Sequence, residues 1–410
     1  MPISANIRRW AVVVLLFFGM VISYMDRGNM SIAAVPLMRE FGFSSAQMGL
    51  LMSMFFWTYA TFQIPAGYLI DRFGIRMIYA AGFLLWCVAT ATMGLARSFG
   101  ELAALRLLLG LGEAISPLAS MAFIKQNFKE SEQGLPTSIY VAGLTLGPAI
   151  GALAGASLLE EFGWRHMFVV TGLAGCIWLF PWLLLVPAQR PNEVVHPYVQ
   201  GATPSLKGFL KTPVAWGLAG SVFFYSYYWY FFLSWVPTYL VLKHGMPNLK
   251  MGMIMAAPLA GMAAVNLCSG TIADLVIRRI GNAMDVRKRF VCVGFLLASA
   301  LVALAWVEKG GPVLPILLAS LMGVGIGAGN YWALSQGAVG SELIGRALGF
   351  QNMIAQVAGA AAPLVTGLLL GPEQDFRTAI LIAGGCPIIS VVLLVFLVRT
   401  AKTGTVTSAR

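Results

Sequence analysis

The sequence predicts an all-α membrane protein, with twelve transmembrane helices in two pseudo-symmetric six-helix bundles. Three observations predict it. Hydrophobic residues make up 59% of the 410, and charged residues only 10%, where a soluble domain carries about 25%. Apolar segments follow one another along the whole chain, most near the ~20 residues that cross a bilayer as helix. A short motif recurs at the same place in each set of six.

The segments are 10–34, 47–70, 76–96, 101–124, 134–158, 166–187, 214–240, 251–273, 289–307, 312–336, 345–369 and 379–398. Arg8 and Arg9 precede the first, and no small-residue cleavage site closes it. It is therefore expected to remain as a helix and not to be removed as a signal peptide. After the sixth segment comes the longest polar interruption, with Pro191, Pro197 and Pro204. It divides the chain into an N-terminal bundle (1–187), a cytoplasmic linker (188–211) and a C-terminal bundle (212–410).

Lysines and arginines orient the segments. With the N-terminus inside, Arg8, Arg9, Arg72, Arg76, Lys125, Lys129, Arg190, Lys207, Lys211, Arg278, Arg279, Arg287, Lys288, Arg289, Arg346, Arg399, Lys402 and Arg410 fall on the inner side. Arg39, Arg97, Arg165, Lys243, Lys250, Lys309 and Arg377 fall outside. That excess places both termini in the cytoplasm. It also accounts for the net charge of +11 without nucleic acid, which needs basic residues clustered on one polar face. The five cysteines are scattered singly, and the three histidines lack ligand spacing, so neither a disulfide framework nor a metal site is expected. No cofactor is expected either. There is no His-Glu-x-x-His, phosphate-cradling loop or catalytic triad, and the chain does not read as an enzyme.

Charges inside the apolar segments carry the functional signal. Segment four reads Leu105 to Pro117 as LRLLLGLGEAISP. Arg106 and Glu113 are seven apart, almost two helical turns, and share a face. A charge at mid-membrane depth costs at least about 2.5–3.5 kcal/mol, so two on one face point to an interior cavity. A buried structural Arg–Glu pair is the plainer alternative. Gly110 and Gly112 beside them allow another backbone to approach closely. Segment one contributes Asp26 and Arg27, whose side chains point about 100° apart. One is expected to face the cavity and the other a neighbouring helix. The C-terminal half has no ionisable group near mid-depth.

The recurring motif lies at the segment 2–3 junction, Gly67-Tyr-Leu-Ile-Asp71-Arg72-Phe-Gly-Ile-Arg76, and again at Gly270-Thr-Ile-Ala-Asp274 followed by Arg278 and Arg279. Such a repeat is what a duplicated transporter predicts. The glycines let helix ends pack, the aspartates accept from a neighbouring helix N-terminus, and the arginines pair across a cytoplasmic gate. Gly67, Asp71, Arg72, Arg76 and Asp274 are the gating candidates.

These residues resemble the major facilitator superfamily: Gly67 to Arg76 matches its signature loop, and Gly143-Leu-Thr-Leu-Gly147-Pro148 its Gly-x-x-x-Gly-Pro motif. More narrowly the chain resembles the anion:cation symporter family, which includes bacterial sugar-acid:proton symporters and relatives of sialin and the vesicular glutamate transporters. The matching residues are Tyr24-Met-Asp26-Arg27-Gly-Asn29, Arg106 with Gly112-Glu113-Ala114, Gly163-Trp164-Arg165, Trp235-Val-Pro237-Thr-Tyr239 and Trp332-Ala-Leu334. Leu275 departs from the second-half motif, and Ile115-Ser-Pro117 departs from the aromatic and Pro-Gly of many relatives.

The resemblance implies a proton-coupled symporter that imports a small organic anion, a sugar acid or related carboxylate, by alternating access. It assigns Arg27 to the substrate carboxylate, Asp26 and Glu113 to the protons, and Arg106 to the substrate site as partner of the two carboxylates and tuner of their protonation. Tyr24 and Tyr59 would offer hydroxyls. The aromatic-dense segment seven would form an outer gate and pocket wall, through Tyr225 or Tyr228, with core packing as the plainer role. Trp332, Asn352 and Gln336 are further substrate contacts. With both carboxylates charged the set sums to zero. With both protonated it is +2, which attracts an anion at low dielectric. The opposing pulls of burial and of the arginines leave the working pH open. An exporter of amphipathic compounds by proton antiport is the alternative, which two buried arginines disfavour. Expected partners are the organic anion, protons and the lipid bilayer. The expected setting is a monomer in the bacterial cytoplasmic (inner) membrane.

Overall fold

The computed structural model describes residues 5–129, 132–187, 206–339 and 343–398. The expected linker as far as residue 205, and the chain beyond 398, lie outside the described residues.

The N-terminal half comprises α1 (Ala5–Ile32), α2 (Ala34–Phe41), α3 (Ser45–Phe73), α4 (Ile75–Met93), α5 (Phe99–Glu113), α6 (Ile115–Asn127), α7 (Gly134–Cys176) and α8 (Leu179–Leu185). The C-terminal half comprises the short α9 (Leu206–Phe209), then α10 (Pro213–Leu242), α11 (Asn248–Ile280) and α12 (Ala283–Ala298). A 3-10 stretch, Ser299–Trp306, follows, and then α13 (Val313–Ala338), α14 (Ile344–Leu370) and α15 (Arg377–Leu397).

Local chemistry sets several boundaries. Ser44 and Gln47 form a reciprocal capping box at α3. The Ser98 hydroxyl accepts from the Glu101 amide at α5. Thr212 caps α10, with Pro213 in its first turn, and Asn282 caps α12. Each satisfies an amide that a helix start leaves unpaired. The division between α5 and α6 has its own cause. Pro117 has no N–H to return to the Glu113 carbonyl, so the helix is interrupted beside that carboxylate.

Among the described residues, nine helices are long and apolar enough to cross a membrane. One, Gly134–Leu185, runs 52 residues and is broken by Gly163 at φ 77°, ψ 168°. That conformation is open essentially to glycine alone, and it turns the run into two spans. Helices α3 and α10, with 29 and 30 residues, are also long enough. Their polar and tyrosine-rich faces lower their mean hydropathy. Together these make the twelve expected spans.

The N-terminal bundle is cored by a stack of rings from α4 and the end of segment six. Phe83 and Trp178 lie face to face at 4.0 Å, and Trp178 stacks on Trp182 at 5.0 Å. Both indoles are satisfied: Trp178 donates to the Leu15 carbonyl and Trp182 to that of Arg76. Such aromatics supply most of the contact area while keeping their N–H groups paired. Between the bundles, α3 packs on α14 and α7 on α11.

The two bundles touch at the end where α1 finishes. There the Ser31 hydroxyl donates to the Ser234 carbonyl at 2.5 Å, and the Asn248 amide donates to the Glu160 carboxylate at 3.1 Å. A methyl added at Gly252 would lie 2.6 Å from the Ala152 carbonyl oxygen, so backbones approach closely. At the opposite end the bundles stand apart. A methyl on Gly67 or Gly270 would meet nothing within 4 Å. The expected close packing at these glycines is not made here, because this is the open end of the molecule.

Candidate functional site

A chamber of about 610 Å³ lies between the bundles. Its N-terminal wall includes Ser23, Tyr24, Arg27, Tyr59, Tyr140 and Thr145, and its C-terminal wall Tyr225, Trp229, Tyr230, Asn266, Trp332, Gln336, Asn352 and Gln356. Beyond it, toward the closed end, is a smaller space of about 60 Å³ lined by Arg106, Ser31 and Ser234 among others. Tyr24, Arg27 and Tyr230 line both spaces and form the partition.

Arg27 is the centre of the N-terminal wall. Its Nε donates to Glu113 Oε2 at 2.7 Å. Ser23, one helical turn before it on α1, donates to the same oxygen at 2.6 Å. The guanidinium carbon is 4.7 Å from the ring centres of Tyr24, Phe55 and Tyr59, within range of cation–π attraction. The Arg27 side chain is 11% exposed and that of Glu113 not at all. No described residue accepts from either terminal nitrogen of Arg27, and the residue lines both the chamber and the smaller space.

Arg106 was expected to pair with the carboxylates, and it does not. Its Nε donates to the Leu51 carbonyl at 3.3 Å and its Nη2 to that of Met52 at 3.2 Å. Its Nη1 is buried with no partner among the described residues. The reason is helix placement. A methyl on Gly110 would strike the Phe55 carbonyl, so α5 seats directly on α3 and Arg106 is carried to the second lone pairs of the α3 carbonyls. Gly112 likewise seats on α4, where an added methyl would lie 2.6 Å from the Gly82 carbonyl oxygen.

Asp26 is 2% exposed and faces away from the chamber. Its Oδ1 receives only a long 3.5 Å bond from Asn29, whose amide also donates to Thr171 on α7 at 3.0 Å. Its Oδ2 is buried without a partner among the described residues. Thus Arg27 takes the chamber and Asp26 the α1–α7 contact.

On α10, Tyr225 lines the chamber and stacks on Phe295 at 5.0 Å. Tyr228 does not line it. Its hydroxyl is bonded to Ser320 at 2.5 Å, and Ser320 donates in turn to the Ala298 carbonyl. Tyr228 lies about 60° round the helix from Tyr225, on the side away from the chamber-lining Ser226, Trp229 and Tyr230, which turns it into the C-terminal core. Trp332, Gln336 and Asn352 line the chamber. A run of long bonds, Tyr230 to Gln356 (3.4 Å), Gln356 to Asn352 (3.4 Å) and Asn352 to Gln63 (3.5 Å), links the bundles.

Two of the gating candidates, Arg76 and Asp274, bond within their own halves. Arg76 donates to the Leu183 carbonyl at 2.6 Å. Asp274 pairs with Arg287 at 2.7 Å, and Arg287 reaches Asn330 at 3.2 Å. Among the described residues no arginine pairs across this end, where the bundles are parted. Arg72 lies over the ring of its neighbour Phe73, and Asp71 is exposed beside it.

Sequence reasoning missed Ser23, Trp229, Tyr230 and Asn266. Ser23 was legible as the residue four before Arg27 on one helix face. Asn266 was legible as a neutral amide inside an apolar segment, which needs a partner.

Two helical bundles facing each other across a central chamber with an arginine in its wall define a transporter, and comparison with known proteins agrees. The Major Facilitator Superfamily description matches residues 16–284. The chain is similar to the "Probable galactarate/D-glucarate transporter GudP" of Escherichia coli (strain K12), 30% identical over 97% of this chain and 94% of that one. It is 28% identical to the "D-galactonate transporter" of Escherichia coli O6:H1, over 96% of each, and 27% identical to the "Hexuronate transporter" of Bacillus subtilis, over 95% and 94%. Its fold is similar to that of a bacterial homologue of the human lysosomal transporter Spinster, with TM-score 0.80, 19% identity and coverage of 96% and 97%. The chain belongs to the major facilitator superfamily. It is a multi-pass membrane transporter and not an enzyme.

Proposed function

We propose that this chain is a proton-coupled symporter that imports a sugar acid, of the galactarate, galactonate or hexuronate kind, across a bacterial inner membrane. The observation that carries the reading is Arg27, which lines the chamber with its Nε held by Glu113 and its terminal nitrogens bonded to no described residue. A fork of this geometry matches a carboxylate bidentately. The relatives' names supply the substrate class.

In this reading Glu113 and the substrate compete for one cation. A proton on Glu113 removes the charge that engages Arg27, and the arginine is then free to hold an organic anion. Asp26, buried without an ion pair, is the second proton carrier, because an unpaired carboxylate is costly to keep charged in such a setting. Arg106 acts from behind the partition, where its positive charge favours an anion at Arg27 across a medium of low dielectric. Tyr24, Tyr59, Tyr225, Trp332, Asn352 and Gln336 hold the body of the substrate.

With both termini in the cytoplasm, the parted end opens inward and the structure is the inward-facing state. Residues 1–187 and 212–410 then rock about the chamber, joined by the linker 188–211. Gly67, Asp71, Arg72, Arg76 and Asp274 come together when that end closes. The working unit is a monomer. Uptake of labelled galactarate into proteoliposomes under an imposed pH gradient tests the proposal. Accumulation that a protonophore abolishes supports it, and uptake indifferent to the gradient refutes the proton coupling.

A further inference from the structure

We propose that Asn266 and Gly329 form a hydroxyl-reading pair on the C-terminal wall, which separates polyhydroxylated acids from plain ones. This rests on the reading of the chamber as an organic-anion site. Asn266 sits on α11, half-buried, and lines the chamber. Its backbone carbonyl accepts from Ser269 at 3.1 Å, but no described residue hydrogen-bonds its side-chain amide. An amide offers two donors and an acceptor oxygen. A group with no structural bond to make is available to a ligand.

Gly329 on α13 gives the amide its place. A methyl added there would lie 2.5 Å from Asn266 Oδ1, closer than real contacts allow. Only a residue without Cβ lets the amide stand where it does. Trp332, one turn further along α13, lines the chamber beside it, and so do the apolar Met262, Val324 and Ala328. The amide is thus a polar group set in an otherwise apolar patch, facing the same chamber as Arg27. A carboxylate held at Arg27 leaves the hydroxyl-bearing carbons of the same molecule toward this wall. An amide both donates and accepts, as a hydroxyl does.

Galactarate and adipate test the pair, being diacids of equal length with and without hydroxyl groups. Binding of each to purified protein is measured by calorimetry. Wild type is expected to prefer galactarate. Asn266→Ala is expected to weaken galactarate by about five- to tenfold and leave adipate unchanged. Gly329→Ala meets only the far end of a side chain, so it folds and swings the amide aside, with a similar selective loss. Because both act through one group, the double variant is expected to bind no worse than Asn266→Ala alone. Equal loss for both diacids, no loss for either, or additive losses in the double variant would overturn the inference. If wild type binds neither diacid, the reading of the chamber fails and takes this inference with it.

Discussion

Arg27 and Glu113 come from helices separated by 86 positions in sequence, yet they meet at 2.7 Å in the wall of the central chamber. The pair closes a buried charge balance, and in the proposed symport it is the contact an incoming anion replaces. That makes Glu113 the first residue to test. Glu113→Gln keeps the shape and removes the titration. It is expected to retain substrate binding and exchange while losing accumulation driven by a pH gradient. Counterflow and gradient-driven uptake in proteoliposomes measure the two separately, and full concentrative uptake by the variant would remove Glu113 from the coupling.

Arg27 is held by geometry as well as charge. Arg27→Lys retains the charge but loses the planar fork and its fit among Tyr24, Phe55 and Tyr59. Substrate affinity is expected to fall by about 10- to 100-fold, read as a rise in the half-saturating concentration for uptake. An unchanged value would mean that the substrate carboxylate binds elsewhere.

Tyr228 and Tyr230 lie two residues apart with opposite expected effects. Tyr228→Phe loses the bond to Ser320 inside the C-terminal bundle. It is expected to cost about 1 kcal/mol of stability with transport affinity intact. Tyr230→Phe, in the partition beside Arg27, is expected to impair transport with little change in melting temperature. Uptake assays and thermal unfolding on both variants decide this, and the reverse pattern would contradict the placement of α10.

Outside the membrane spans, Glu40 accepts from the Trp164 indole and from Arg165, each at 2.7 Å. These bonds, the Trp164 bond first, hold its carboxyl below the usual value of 4.5. A depressed folded-state value adds stability above pH 4.5, lost as pH falls through the lowered value. The group is largely exposed, so the effect is small. Acidification below 4.5 is expected to lower the melting temperature by about 1–3 °C more in wild type than in Glu40→Gln. Identical acid profiles would show that the cluster contributes no stability.

Gly163 divides the long run from Gly134 into two spans at φ 77°. Gly163→Ala is expected to cost about 1–3 kcal/mol, seen as lower yield and melting temperature. A variant as stable as wild type would mean that the turn relaxes to another path.

Composition and spacing alone are enough to read the class of fold and the members of the buried charge set. Helices in a bilayer must satisfy their own backbone and present apolar surface, so length and composition alone reveal the spans. An ionised side chain in such a span is costly enough that Asp26, Arg27, Arg106 and Glu113 stand out without coordinates. Two spans were less plain to composition: α3 and α10 carry the polar and tyrosine faces that line or flank the chamber, and their function dilutes the membrane signal.

Only the tertiary structure decided who pairs with whom. Arg27 rather than Arg106 meets Glu113, Tyr225 rather than Tyr228 meets the chamber, and Arg76 and Arg287 bond within their own bundles. The physical reason is that pairing depends on how far each helix is rotated and how closely it is seated. Here the contact of Gly110 with the α3 backbone sets that seating for Arg106, and a position on the side of α10 away from Ser226, Trp229 and Tyr230 sets it for Tyr228. Periodicity places a residue on a face, but packing chooses what that face meets.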